Sequence, residues 1–337
     1  MRAISARCPV YVFLSLALLS ASLGACAVCG GAKNEPARED QAGEGREYLR
    51  LLGDISGTVN YLEQSGGARV QLPARLFISP ASLSARSGSV FIVDSGTQAV
   101  YRYDRYKSSI KKIVGLPSYM DSCVFVKTDE SFYLSDPFKR RVYLFDHNGG
   151  LVRTYKDDFY LMFPTSVAVN EANGDVYVAD GMRDDIIVFN GVGQIVKIIG
   201  APEGKEGKIF GRIEGLALGD GKLYVADSES RKINVMNLDG KYMYSFGQDD
   251  LSKPGAIAAT DSRVFVVDTG SNSIKIFQDE AFAAEYRGKN PHDRMFSQIS
   301  GIAADEGLVY VSDALAGKVF IFMSPPTGGE KMASAPR

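Results

Sequence analysis

The chain has no tryptophan, two histidines (His147 and His292) and four cysteines in 337 residues. So few imidazoles argue against chemistry that needs a histidine base or several histidine metal ligands. Four cysteines are too few for a disulfide-built scaffold of this length. The net charge is −2, so no global field draws the chain to nucleic acid or to an anionic membrane. Lys139-Arg140-Arg141 is the compact basic cluster in the body of the chain, and nucleic acid is not expected as a partner. There is no Gly-rich phosphate loop, serine nucleophile elbow or HExxH helix. The apolar run from Pro9 to Ser22 is shorter than the ~20 residues that cross a bilayer.

That run follows a short basic start containing Arg2 and Arg7, and small residues follow it. This order reads as a signal peptide over residues 1–25. Leu23-Gly24-Ala25-Cys26 resembles the lipobox of bacterial lipoproteins. An ordinary signal peptide, or an uncleaved anchor with an incidental cysteine, is the plainer alternative. The resemblance implies cleavage before Cys26, lipid attachment to its thiol, and export out of the cytoplasm. It also implies anchoring to a membrane of the cell envelope through the N-terminal lipid. Ala27 stands where the family's inner-membrane retention signal has Asp, which favours the outer membrane. Removing residues 1–25 leaves 36 basic and 40 acidic residues, a net charge of −4. Residues 26–46 read as a flexible tether and residues 325–337 as a disordered tail. Cys29 falls in the tether and Cys123 in an expected inner strand, so no disulfide is expected. The segment from Cys26 to Gly30 lacks the His of a haem attachment motif, and no metal or cofactor is expected there.

Apolar residues make up 45% of the chain, with 35 Gly, 17 Tyr and 18 Phe. Abundant glycine with abundant aromatics favours strands and turns. One pattern recurs six times, alternating apolar residues that end in Asp, as in Val90-Phe91-Ile92-Val93-Asp94 and Val176-Tyr177-Val178-Ala179-Asp180. The repeated residues are Asp94, Asp136, Asp180, Asp227, Asp268 and Asp313, spaced by 42, 44, 47, 41 and 45 positions. That period suits four short strands per unit, as in propeller blades. Third strands follow each Asp and carry Val100, Val142, Ile186, Ile233, Ile274 and Val319. First strands precede it, marked by Leu83, Val124, Val167, Leu216, Ile257 and Ile302 with small neighbours. Fourth strands close five units, for example Ile195 to Ile199.

The sixth unit runs into Ser324-Pro325-Pro326 before a fourth strand can form. Residues 47–53 match the other fourth strands, so the N-terminal strand is expected to close the last blade. The fold expected for residues 47–324 is all-β, a six-bladed β-propeller with four-stranded antiparallel blades. The unit, apolar-Tyr-Val-Ala-Asp followed by a polar loop and Ile-x-Val-Phe, resembles the NHL repeat over roughly residues 47 to 323. The family includes protein- and RNA-binding modules, sensor domains and a few enzymes, so the resemblance implies fold more than function.

An Asp at the same strand end in every blade reads as a turn device, its oxygens accepting backbone N–H groups of the following loop. Related propeller lyases depend on several histidines. His147 falls on a hairpin tip and His292 on the opposite face, so the two are not expected to share a metal. Gluconolactonase-type propellers use carboxylate and Asn ligands, and Glu214 is the one acidic residue beside an inner strand that draws notice. A metal-dependent enzyme of lactonase or lyase type, using carboxylates, is therefore the alternative. The main reading is non-enzymatic: a monomeric binding or scaffold propeller that recognises an envelope protein, peptide or polymer. Loops after the second strands and between blades share one face. They bring Phe138, Lys139, Arg140, Phe159, Tyr160, Arg183 and Arg231 to it, with Pro117, Ser118, Tyr119, Asp157, Met162 and Lys208 nearby. Aromatic and Arg side chains are the types enriched at interface centres.

Overall fold

The computed structural model describes residues 48–56, 61–63, 69–71, 76–118, 120, 123–200, 208–260, 262–288 and 295–325. All belong to the compact unit Glu44–Arg337. Cys26, Cys29, Tyr119, His292, the signal peptide and tether, and the tail from 326 onward lie outside the described residues.

Every described element is a strand. The chain begins with β1 (Arg50–Ile55) and a short hairpin, β2 (Tyr61–Glu63) and β3 (Arg69–Gln71). Blade one is β4 (Pro80–Arg86), β5 (Ser89–Asp94), β6 (Ala99–Asp104) and β7 (Ser109–Gly115). Blade two is β8 (Phe125–Lys127), β9 (Ser131–Asp136), β10 (Arg141–Asp146) and β11 (Leu151–Lys156). Blade three is β12 (Pro164–Asn170), β13 (Asp175–Asp180), β14 (Asp185–Phe189) and β15 (Ile195–Ile199). Blade four is β16 (Ile213–Gly219), β17 (Lys222–Asp227), β18 (Lys232–Asn237) and β19 (Tyr242–Phe246). Blade five is β20 (Pro254–Ala259), β21 (Arg263–Asp268), β22 (Ser273–Gln278) and β23 (Ala281–Tyr286). Blade six is β24 (Ile299–Asp305), β25 (Leu308–Asp313) and β26 (Lys318–Met323), with β1 as its outermost strand.

The six sheets form a propeller. Each first strand touches the next, from β4 through β8, β12, β16 and β20 to β24, and β24 returns to β4. Crowding at the centre explains the small residues there. A Cβ on Gly215 would lie 2.7 Å from the Gly255 carbonyl oxygen, and one on Gly301 would lie 2.9 Å from that of Ala81. Serines stitch neighbouring inner strands where space allows. The Ser84 hydroxyl accepts from the Lys127 N–H at 2.9 Å, and the Ser166 hydroxyl from the Leu216 N–H at 3.0 Å.

Alternation along each strand sends apolar side chains to both faces, and both are covered by adjacent blades. The result is a separate buried cluster at each blade interface. Tyr155, Val178 and Phe189 lie between blades two and three. Phe265, Ile274 and Phe322 lie between blades five and six. Truncating one of these buried aromatics to Ala should cost about 3–5 kcal/mol.

Three details depart from the sequence reading. β1 starts at Arg50 and runs to Ile55, because Gly53 sits at a bulge instead of ending the strand. Leu49, just before it, is buried between blades five and six, and Ile55 between blades six and one. Blade one is not limited to four strands, since β2 pairs in parallel with β7 and carries β3. Cys123 is buried, yet it precedes β8 instead of lying in it.

Candidate functional site

Strand directions give the propeller two faces. One collects the loops between second and third strands and the connections between blades, and we term it the connection face. The other collects the hairpins from first to second and from third to fourth strands, and we term it the hairpin face. The repeated Asp ends each second strand at the connection face, and all six are buried.

Each such carboxylate is held by backbone N–H groups. Asp313 accepts from Ser297 at 2.6 Å and Gln298 at 3.0 Å, in the incoming connection, and from Ala316 at 2.9 Å in the following loop. Asp94 does the same with Ile78, Ser79 and Thr97, and Asp227 with Gly211, Arg212 and Ser230. Asp268 accepts from Ser252, Lys253 and Gly270, and Asp180 from Met162, Phe163, Met182 and Arg183. Asp136 accepts from Lys139 at 2.9 Å. In Asp94, Asp227, Asp268 and Asp313 one oxygen, Oδ1, bridges the strand entry and the loop exit while Oδ2 takes a second N–H of the entry; in Asp180 each oxygen serves one side. Burial pushes the Asp227 carboxyl up, but the N–H groups of Arg212, Gly211 and Ser230 outweigh it and hold it below the ordinary range. Asp268 is lowered in the same way, burial opposed by Ser252, Lys253 and Gly270. A buried anion is tolerated here because several N–H dipoles converge on it.

The fourth residue after each Asp lies in the left-handed region: Gln98, Arg140, Asp184, Arg231, Asn272 and Gly317, with φ between 50° and 62°. This conformation is disfavoured for most side chains. It recurs in all six blades, so it belongs to the turn and does not single out one blade.

The side chains that differ between blades converge around blades two and three. Asp157 Oδ1 accepts from the Phe159 N–H at 2.9 Å and the Tyr160 N–H at 2.7 Å. Leu161 is fully buried behind them, and the next two N–H groups bond Asp180. The connection is therefore pinned at both ends, and its two aromatic rings project outward. Phe159 is 68% exposed. The two rings meet edge to face with centroids 4.8 Å apart. The Arg183 guanidinium lies 5.8 Å from the Phe159 ring and 5.7 Å from that of Tyr160. Its Nε reaches Asp185 Oδ2 at 3.3 Å. Lys208 donates to the Arg183 carbonyl at 2.9 Å and to Asp184 at 3.3 Å. Arg140 reaches the Met162 sulfur at 3.6 Å. A flat cationic group over aromatic faces suits a ligand carrying an apolar surface beside a negative charge.

Phe138 is 64% exposed on the same face, with Lys139 beside it in the loop of blade two. Arg231 is exposed in blade four, and no hydrogen bond or ring contact joins it to the Arg183 group. Met182 is 66% exposed next to Arg183 and was not singled out from sequence, because an isolated Met in a polar loop gives no signal. His147 is exposed at the tip of the hairpin after β10, on the hairpin face. Glu214 stands at the bulge of β16 and accepts from the Ser228 hydroxyl at 3.0 Å. Among the described residues, no group of three or more His, Cys, Asp or Glu side chains is arranged to hold a metal ion.

No protein-family model matches the chain, and no curated protein does. Solved propellers do. A streptogramin B lyase structure aligns with TM-score 0.56 and 14% identity over 82% of this chain and 97% of that one. A catalytically inactive histidine-to-alanine variant of virginiamycin B lyase from Staphylococcus aureus, with quinupristin, aligns with TM-score 0.55 and 14% identity, covering 82% and 99% of the two chains. A chain of a nidogen–laminin complex aligns with TM-score 0.54 and 15% identity, covering 76% and 97%. At such identity the likeness is one of fold, and it spans enzymes and a protein-binding assembly alike.

Proposed function

We propose that this protein is an NHL-type recognition propeller, held to an envelope membrane by lipid on Cys26, that binds an envelope protein, peptide or polymer at its connection face. The observation that carries the reading is the Arg183 guanidinium set against the exposed Phe159 and Tyr160 rings on a pinned turn. Rings held rigidly before binding lose little entropy on binding, which is what an interface anchor requires. Phe138, Lys139 and Arg140 extend the patch in blade two, and Arg231 marks its far side in blade four. Export from the cytoplasm follows from the lipobox-like Leu23-Gly24-Ala25-Cys26 after the apolar run.

The test is retention of envelope components on the immobilised protein, compared with the Phe159→Ala/Tyr160→Ala variant. Equal retention by both, with both folded, rejects the face. Anchoring is tested separately by labelled fatty acid, which Cys26→Ala should no longer incorporate.

The fold likeness to streptogramin lyases favours a second reading, a carboxylate-dependent propeller enzyme using Glu214, at the bulge of the inner strand β16. A single histidine-to-alanine change accompanies inactivity in the virginiamycin B lyase variant. The described histidine of this chain, His147, sits on a hairpin tip on the other face. Metal copurifying with the protein, and an activity lost on chelation and on Glu214→Gln, would favour the enzyme.

A further inference from the structure

Outside the connection face, a groove of about 590 Å³ runs down the circumference between blades two and three. Lys156, Asp157 and Tyr160 line its upper end, and Gly193 to Ile198 form its long wall. That wall is β15, the last strand of its sheet. Alternate N–H and C=O groups along its outer edge therefore face away from β14, as a template for one more strand. Val196 and Ile198 are exposed along it.

Two further observations say what fits there. The first is that this fold already accepts an added strand at the corresponding place. The outer edge of β7 in blade one is taken by β2, in parallel, with Leu62 opposite Ile110. The second is charge. The Arg153 side chain on β11 lies against Gly193 at the lower end of the groove. Its Nε is buried and has no hydrogen-bond partner among the described residues. Lys156 is exposed at the upper end. The one acidic group of the lining, Asp157, already accepts two backbone N–H groups. An Nε–H buried without an acceptor is costly, and a carboxylate drawn to this half-buried side chain would offset that cost.

We infer that the groove between blades two and three takes an extended, acidic peptide strand, which pairs with the free edge of β15 between Arg153 at one end and Lys156 at the other. Main-chain hydrogen bonds to β15 supply the affinity common to strand addition, and the carboxylate sets the position along the groove. The site goes beyond the connection face and shares Tyr160 with it, so a strand bound here could run up onto the aromatic pair.

The experiment uses the full chain in detergent and two labelled ten-residue peptides of alternating Val and Thr, one with a central Glu and one with a central Lys. Binding is read by fluorescence anisotropy, and the site by hydrogen exchange at residues 195–199. The Glu peptide should bind, slow exchange along β15, and weaken about tenfold or more with Arg153→Gln. Arg153→Lys should recover part of that loss. The Lys peptide should bind far more weakly. Melting curves accompany each variant, and Lys156→Gln at its exposed position gives the same comparison if Arg153→Gln does not fold. Arg231→Ala, in blade four of the connection face, should leave peptide binding unchanged, which separates this site from the connection-face reading. Absence of binding, equal binding of the two peptides, or unaltered exchange along β15 overturns the inference.

Discussion

The two faces of the propeller use charge in opposite ways. On the hairpin face, charged side chains join neighbouring blades. Arg86 of blade one takes Asp129 of blade two at 2.7 Å and Glu171 of blade three at 3.0 Å. Arg105 and Tyr106 of blade one meet Glu306 of blade six at 2.8 and 3.0 Å. Lys222 of blade four meets Glu280 of blade five at 2.7 Å, and Tyr244 shares that carboxylate. On the connection face the repeated carboxylates are buried against backbone N–H groups, the ion pairs of Arg183 with Asp185 and Lys208 with Asp184 do not bridge one blade's sheet to the next, and Arg183 stands beside two exposed aromatic rings. The difference teaches that ion pairs between blades are compatible with a mainly structural face. An exposed aromatic–guanidinium group serves no such purpose and needs another explanation.

That contrast can be broken by mutation. The largest effect expected is on binding: Phe159→Ala/Tyr160→Ala should cost about 2–4 kcal/mol in a titration against the retained ligand. The melting temperature should barely move, since both rings are exposed. Unchanged affinity would remove the functional distinction between the faces.

Next in size, Asp227→Ala should destabilise by about 1–3 kcal/mol in denaturant unfolding, because it strands buried N–H donors. The same carboxylate carries a pH signature. Its folded pKa lies below the ordinary value of 3.8, so its contribution is present above that value and is lost as pH falls through the folded pKa. Unfolding midpoints should therefore decline on acidification below about pH 4, and Asp227→Asn should remove part of the decline. Glu285, held at about 2 against burial by Ser273, Arg287 and Lys275, extends the decline toward that pH.

Smaller still, Lys222→Met should cost no more than about 1 kcal/mol, the range for partly exposed pairs. A larger loss would mean that the hairpin face holds the blades together more strongly than its exposure suggests. The smallest effect is assigned to His147→Ala, which should change neither stability nor binding by more than about 0.5 kcal/mol. A loss of binding there would place recognition on the hairpin face.

The fold was legible because one residue type at one position repeats. Asp at the end of an alternating apolar strand occurs in every unit, and each copy sits at the same backbone junction. What a repeat cannot display was missed. The β2–β3 hairpin occurs once, although the Gly66-Gly67 pair between Tyr61-Leu62-Glu63 and Arg69-Val70-Gln71 was a usable turn signal. The incoming half of the clamp at Asp94, Asp180, Asp227, Asp268 and Asp313 was also missed, because its donors are backbone N–H groups that carry no side-chain signature. The grouping of Arg183 with Phe159 and Tyr160 was accessible once the loops were assigned to one face. The position of Arg153 was not, because its contact with Gly193 and the lack of an acceptor for its Nε among the described residues arise across a blade interface.

Strand direction in blade six has a topographic consequence. β1 runs antiparallel to β26, with Arg50 opposite Met323, so the chain enters and leaves the propeller side by side at the hairpin pole. Any attachment made through either end of the propeller therefore grips the hairpin pole and leaves the Phe159–Tyr160 surface, at the opposite pole, unobstructed.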